Sequence, residues 1–285
     1  MRRDRRRAEE NAFRVLMITA AAMVAGSLLF VFAVVLIKGL PAISLEMITS
    51  TPKGGYYLGG GGGILNAIVG SLYLACGATL LALLLALPVA LYLQKDYIGG
   101  SRLARAVRFS LDVVFGVPSI VYGVFGFIIM LYVGVRASLL GGILVLTLLE
   151  LPIMIRAMDE VIRTVPPELK AASYAMGATR LETTLRVVLK QVMPGVVSAV
   201  ILAFGRGIGD AASILFTAGY TDSLPKSLLD PVASLPLAVF FQLGTPFPEV
   251  QQRAYAAALI LLVLVLALSI ISRVVMARYN RYVIR

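Results

Sequence analysis

Six apolar runs of about twenty residues or more, separated by short charged segments, constrain this chain more than any other feature. They lie at roughly 13–38, 64–94, 107–133, 138–158, 195–218 and 254–277. About twenty apolar residues cross the hydrocarbon core of a bilayer as a helix, whereas a membrane strand needs only about ten. Inside lipid every backbone N–H and C=O has to be satisfied within the structure, so runs of this length predict an all-α membrane protein with six spans. The bulk numbers agree: 59% of residues are hydrophobic, 14% are charged and the mean hydropathy is +0.91. The first run follows MRRDRRRAEE, exceeds the apolar core of a signal peptide and is succeeded by further runs, so it is read as an uncleaved first span.

The formal charge of +11 invites a nucleic-acid reading, but the basic residues flank apolar runs instead of interleaving with aromatics on a soluble face. Their distribution sets orientation. With the N-terminus in the cytoplasm, 19 of the 26 Lys and Arg fall on the inside. Lys38, Lys53, Arg136, Lys226 and Arg253 fall outside, and Arg156 and Arg206 lie in or near spans. Both termini are then cytoplasmic. Three regions follow: a basic cytoplasmic N-terminus (1–12), a first span with an outer loop (13–63), and a core (64–285) holding a cytoplasmic segment at 159–194. The outer stretches 39–63 and 219–253 read as non-helical. The second carries Pro225, Pro231, Pro236, Pro246 and Pro248 around LPLAVFFQL, as a re-entrant or interfacial hairpin would. Either stretch is placed to meet a substrate-delivery protein.

Catalytic chemistry is largely excluded. With no histidine and one cysteine, Cys76, neither a transition-metal site nor an intrachain disulfide is expected, and Cys76 reads as a small packing residue. The glycines at 59–63 are not followed by the GK[ST] of a phosphate-cradling loop, so they read as a close-approaching turn.

Polar residues inside the spans carry the functional expectations, because a charge at mid-membrane costs about 2.5–3.5 kcal/mol on insertion scales. Arg206 and Asp210 are four apart in the fifth run, and steps of three and four continue to Ser213 and Thr217. A helix would line these four up as a polar stripe, with Arg206 and Asp210 paired. That pair is either structural or a site where a guanidinium fork offers donors to a tetrahedral oxyanion while Asp210 competes for them. Glu150 and Arg156 sit in the fourth run on either side of Pro152. Glu150 is read as protonated or paired with Arg206, and Arg156 as a path residue or as snorkelling to the interface. Gly205 and Gly209 have the spacing of a close helix approach.

The cytoplasmic segment 166–194 reads PPELKAASYAMGATRLETTLRVVLKQVMP. Pro166 and Pro167 start a helix, Glu168 complements the positive end of its dipole, Ala171, Ala172 and Ala175 leave a smooth face, and Gly177 ends it. A second helix is expected from about Leu181 to Pro194. The pair is either a plain surface linker or a docking element.

This segment resembles the cytoplasmic loop of ABC importer permeases, Glu-Ala-Ala, three residues, Gly, nine residues, Ile-x-Leu-Pro. Aligned on Gly177, that pattern places Ala171, Ala172 and Ser173 at the Glu-Ala-Ala positions. The glutamate and the final proline are replaced, and Glu168 lies three residues too early. RGIGDAASILFTAG is similar to the fifth-span segment of phosphate-specific permease subunits of the PstA type. LDVVFGVPSIVYG, GGGGILNAIVGSL and LPIMIRAMDEVIRTVP resemble their third span, the start of their second and their approach to the loop. Asp210, Ala211 and Ser213 stand where that group has Glu, Thr and Pro.

The resemblance implies the ABC importer permease (MetI-like) fold and a role as half of an inorganic phosphate path in a bacterial inner membrane. Arg206, Asp210, Arg156, Glu150, Ser213, Thr217 and Ser119 would lie on the path, with Asp112 and Pro118 shaping it. Glu168, Ala171, Ala172, Ser173 and Gly177 would couple to an ATPase. It further implies a PstC-like sister permease, two PstB-like ATP-binding subunits and a PstS-like phosphate-binding protein. ATP and magnesium would sit on the ATPase, and this chain would bind no cofactor. A permease for another oxyanion or a phosphonate is the alternative, and a non-transporting membrane scaffold or enzyme a more distant one.

Overall fold

The computed structural model describes residues 2–55 and 60–279; Gly59 and the last six residues, named above, lie outside the described residues. Among the described residues it is helical, with one isolated β-bridge, Pro52 to Gly62. The helices are α1 (Arg2–Gly39), α2 (Leu45–Thr49), α3 (Leu65–Tyr92), α4 (Arg102–Phe115), α5 (Ser119–Val133), α6 (Leu139–Arg163), α7 (Pro167–Ala175), α8 (Arg180–Thr183), α9 (Leu189–Ile208), α10 (Leu235–Leu243) and α11 (Pro248–Tyr279). Five stretches are long and apolar enough to cross a membrane: Glu9–Ala42, Leu65–Tyr92, Leu139–Arg163, Arg180–Ile208 and Pro248–Ile271.

The third expected span, 107–133, is not one helix. It is α4 and α5 meeting at 100°. Pro118 fixes its own φ and biases Val117 away from the helical region. Tyr122 Oη then donates to Val114 O across the corner at 2.7 Å. The α4 arm repeats arginine every third residue (Arg102, Arg105, Arg108), which suits an amphipathic helix better than a span.

The core is built where α3, α6 and α9 meet. Ala75, Ala78, Ala82, Ala86 and Ala90 recur every three or four residues along α3, and all are fully buried. Small residues at helical spacing let backbones approach closely. Met154, Met158 and Ile162 of α6 and Val188, Val192, Val196 and Ala199 next to and along α9 fill the remaining space. Cys76, expected in this packing, is instead exposed, because Ala75, Ala78 and Thr79 occupy the inward face of α3.

Two further expectations change. Pro194 does not end a helix: Arg180–Ile208 is continuous, with a π-helical turn at Thr184–Val188, and Pro194 is buried within α9. The outer stretches are also not wholly non-helical. The first contains α2, capped by Ser44 accepting from Met47 N. The second contains α10, most of whose first turn is sealed inside the molecule: Leu235, Leu237 and Ala238 are fully buried, as is Gln242 in its last turn. Ser71 of α3 accepts from Leu235 N at 2.7 Å, and Ser234 accepts from Leu237 N, so the buried helix start is satisfied by side chains. This fits irregular backbone at membrane depth only because protein surrounds it.

Candidate functional site

Arg206 and Asp210 form an ion pair, Nη1 to Oδ1 at 2.7 Å. Four-residue spacing is not the whole reason, because α9 ends at Ile208 and residues 212–218 form turns. Gly205, Gly207 and Gly209 weaken the helix here, and the second Asp210 oxygen accepts from Ser213 N at 2.8 Å. A carboxylate taking the N–H three residues on is a capping interaction that competes with helix continuation. The expected polar stripe on a continuous helix is thus replaced by a helix end, an aspartate cap and a turn. Thr217 Oγ1 still reaches Ser213 O, at 3.3 Å.

Exposure divides the pair. The Asp210 side chain is 4% exposed and that of Arg206 is 44% exposed. The guanidinium therefore leaves the core of this chain while its counter-ion stays inside it. Ser213 and Thr217 are fully buried, and Ser213 Oγ has no hydrogen-bond partner among the described residues. Ser119 opens α5 and is half-buried. One turn on, Gly123 lies so close to the 212–213 backbone that a Cβ there would stand 2.7 Å from Ser213 O. Ser119, Asp210 and Ser213 therefore belong to one region.

Glu150 and Arg156 do not join it as read from sequence. Glu150 is fully buried and accepts from Thr79 of α3 at 2.8 Å. Of the two alternatives read for it, pairing with Arg206 is absent, because Glu150 Oε1 points at Gly207, the neighbouring residue, whose helix position is turned by about 100°. A Cβ on Gly207 would overlap that oxygen, while a Cβ on Gly205 would meet nothing, so the close approach uses Gly207 and not the Gly205–Gly209 pair. Gly207→Ala is expected to destabilise the chain by about 1–3 kcal/mol. Glu150→Ala in the same background should recover most of that loss, as a double-mutant cycle of thermal unfolding in detergent would show. Arg156 is not a free snorkelling side chain but pairs with Asp112 of α4. Together with Asp159, Glu160, Arg163 and Thr164 it borders a cavity of about 450 Å³.

The 166–183 region folds as a helical hairpin. Glu168 lies in the first turn of α7, none of whose residues is buried, and Ala171, Ala172 and Ala175 are exposed. Gly177 has φ +84°, and Gly177 N and Ala178 N close the helix on Tyr174 O and Ser173 O. A left-handed residue at this point is what a glycine cap supplies. Met176 beside it is 91% exposed. Ser173 Oγ bonds Thr183 Oγ1 at 2.8 Å, and Thr179 with Glu182 forms a capping box starting α8.

A family profile described as "Binding-protein-dependent transport system inner membrane component" matches residues 86–283. The chain belongs to this family. Among curated relatives of this transport component, "Phosphate transport system permease protein PstA 1" of Mycobacterium tuberculosis is 37% identical over 211 residues, 73% of this chain and 69% of the relative. "Phosphate transport system permease protein PstA" of Yersinia pestis is 34% identical over 242 residues, 85% of this chain and 81% of the relative. Among solved structures, the MetNI methionine ABC transporter in an inward-facing form superposes with a TM-score of 0.63 at 20% identity, over 75% of this chain and 95% of the other. The fold is that of an ABC importer permease, and the family component is a multi-pass membrane protein.

Sequence reasoning about this permease missed two polar centres. Asp159 is buried and accepts from Arg108 at 2.9 and 3.1 Å, from Arg163 at 2.7 Å and from Gln94 at 3.1 Å. Asp96 pairs with Lys170 at 2.5 Å. Burial first, then the Asp96 carboxylate facing it, push the Tyr174 phenol above the ordinary tyrosine range. Neither centre had a spacing signal except the i, i+4 step from Asp159 to Arg163. The other partners are 51 to 74 residues away in sequence.

Proposed function

We propose that this chain is one of two permease subunits of an ATP-driven importer of inorganic phosphate. The observation that carries the reading is a half-exposed arginine in the last turn of the fifth span's helix, tethered to a buried aspartate. Its relatives named as phosphate transport permeases supply the substrate class. A charge at that depth faces protein or water, not lipid. Arg206 therefore faces the sister subunit, PstC-like, across the shared path. Its planar fork offers paired donors to a tetrahedral oxyanion. Asp210 holds the fork when no anion is present and competes when one is, which keeps occupancy brief. Ser213, fully buried behind the pair, holds Asp210 in place through its main-chain N–H.

The termini and the 159–194 segment lie in the cytoplasm in this reading, since most of the basic residues collect there. The exposed face of α7 and Met176 docks one of two PstB-like ATP-binding subunits, where ATP and magnesium sit. A PstS-like protein delivers phosphate on the opposite side. This chain holds no cofactor of its own.

The test is ATP-dependent uptake of radiolabelled phosphate by the complete complex in proteoliposomes, with sulfate and methylphosphonate as competitors. Phosphate uptake that withstands excess sulfate and methylphosphonate is expected. Displacement by either competitor would reassign the substrate to another oxyanion, and absence of ATP-dependent transport of any of the three would overturn the reading.

A further inference from the structure

We infer that α4 and α5 form a rigid L-shaped lever that carries motion of the α7–α8 hairpin to the Arg206–Asp210 region, with Asp96 and Tyr122 as its positioning residues. The inference rests on the reading that this hairpin docks the ATPase.

The cytoplasmic end of the lever is the turn at 93–101, between α3 and α4. Asp96 Oδ2 accepts from Lys170 of α7 at 2.5 Å, and its main-chain oxygen accepts from Arg180 of α8 at 3.3 Å. Tyr97 Oη bonds Thr184 Oγ1, directly after α8, at 3.1 Å. Both helices of the hairpin are thus tied to two adjacent residues of one turn. The Lys170 and Asp96 side chains are 15% and 22% exposed, so this ion pair is far less screened than a surface pair. Beside it lies a cavity of about 490 Å³ bordered by Gln94, Val165, Pro167 and Tyr174. Polar ties beside this cavity join hairpin and turn.

The turn in turn is locked to α4. Arg108 donates to Leu93 O at 2.6 Å and to Gly99 O at 3.4 Å, gripping the turn on both sides of Asp96. Ser101 caps α4 by accepting from Ala104 N. At the corner, Tyr122 Oη reaches back from α5 to Val114 O, so the 100° angle is braced by a side chain as well as by Pro118.

The far arm ends on the candidate path. Gly123 lies against the main chain of Ala212 and Ser213, Gly126 against Val145 of α6 and then Thr217, and the rings of Phe127 and Phe216 are 6.0 Å apart. Residues 212–217 are the turn that Asp210 caps. A shift of α5 therefore pushes on the backbone that positions Asp210, and with it the partner of Arg206. Packed elements move as units between discrete arrangements, which is how a small displacement at one end is delivered at the other. Arg108 with Asp159 and Asp112 with Arg156 tie α4 to α6, but Asp96 and Tyr122 lie outside α6 and α9, so substituting them leaves the side chains of those two helices unchanged.

The experiment is amide hydrogen exchange on the complete complex in nanodiscs, nucleotide-free against ATP–vanadate-trapped, with uptake per ATP hydrolysed measured in parallel. In the wild type, trapping should change protection in 167–183 and in 119–127. Asp96→Ala should keep the first response and lose the second, and uptake per ATP should fall about fivefold or more. The charge exchange Asp96→Lys with Lys170→Asp should restore both. Tyr122→Phe, which leaves the cytoplasmic ties intact, should keep the response of 102–115 and lose that of 119–127. An unchanged response of 119–127 in Asp96→Ala and Tyr122→Phe would overturn the lever. A wild-type hairpin that does not respond to nucleotide would overturn the docking reading and the lever with it. Wild-type responses without phosphate import would overturn the substrate alone and leave the lever standing.

Discussion

Replacing Arg206 with glutamine is expected to reduce phosphate uptake by about a hundredfold or more while the complex still assembles and hydrolyses ATP. The size follows from removing the forked charged donor that the proposed site offers to an oxyanion. Assembly should survive because the Arg206 side chain is 44% exposed and Asp210 keeps its bond to Ser213 N. Arg206→Gln leaves a carboxylate 4% exposed without its cation. Arg206→Gln with Asp210→Asn separates loss of the anion site from the cost of that orphaned charge. If the orphan were the cause, the double variant would recover uptake. If the fork itself binds the anion, it would not. Arg206→Lys keeps the charge without the fork and should fall between the two. The measurement is radiolabelled uptake beside ATPase rate in proteoliposomes with saturating anion-loaded binding protein. Normal uptake by Arg206→Gln would reduce the residue to packing.

Asp159→Ala should cause the largest loss of stability among single substitutions at polar residues. Asp159 is 2% exposed and takes four hydrogen bonds from three side chains. Its removal strands Arg108, whose side chain is 16% exposed. Breaking a buried pair from one side costs about 3–5 kcal/mol, since the remaining charge stays desolvated. For a chain of this size each kcal/mol lowers the melting point by roughly 2–4 °C. Thermal unfolding of the purified chain in detergent would register this. Asp159→Asn, which keeps the acceptor and loses the charge, should lose less. Equal melting points for the wild type and Asp159→Ala would show that Arg108 is held by its bonds to Leu93 O and Gly99 O alone.

Local signals reached some of this arrangement. Arg206 and Asp210 are four residues apart, and that spacing was enough to predict their contact. It was not enough to predict that the helix stops between them, because the competing capping bond from Asp210 to Ser213 N depends on which conformation the packed turn favours. Glu150 was equally visible as an intramembrane acid. Its partner was not, because choosing Thr79 over Arg206 depends on how α3, α6 and α9 rotate against one another.

The amino-acid sequence by itself determined that this chain lives in a bilayer as helices, since apolar length and the need to satisfy backbone groups are properties of single segments. It also marked the start of α7 at Pro166 and Pro167 and its end at Gly177, because proline, glycine and capping residues act on their nearest neighbours. Only the tertiary structure decided that 107–133 is bent at 100°, that Cys76 faces outward, that Asp159 and Asp96 are hubs, and that Gly207 is the residue pressed against Glu150. Each of these depends on which faces of distant helices meet, and in a chain that is 59% hydrophobic nearly every face is apolar enough to be buried. With so little contrast in polarity, close fit between small residues and the pairing of a few buried charges select the packing.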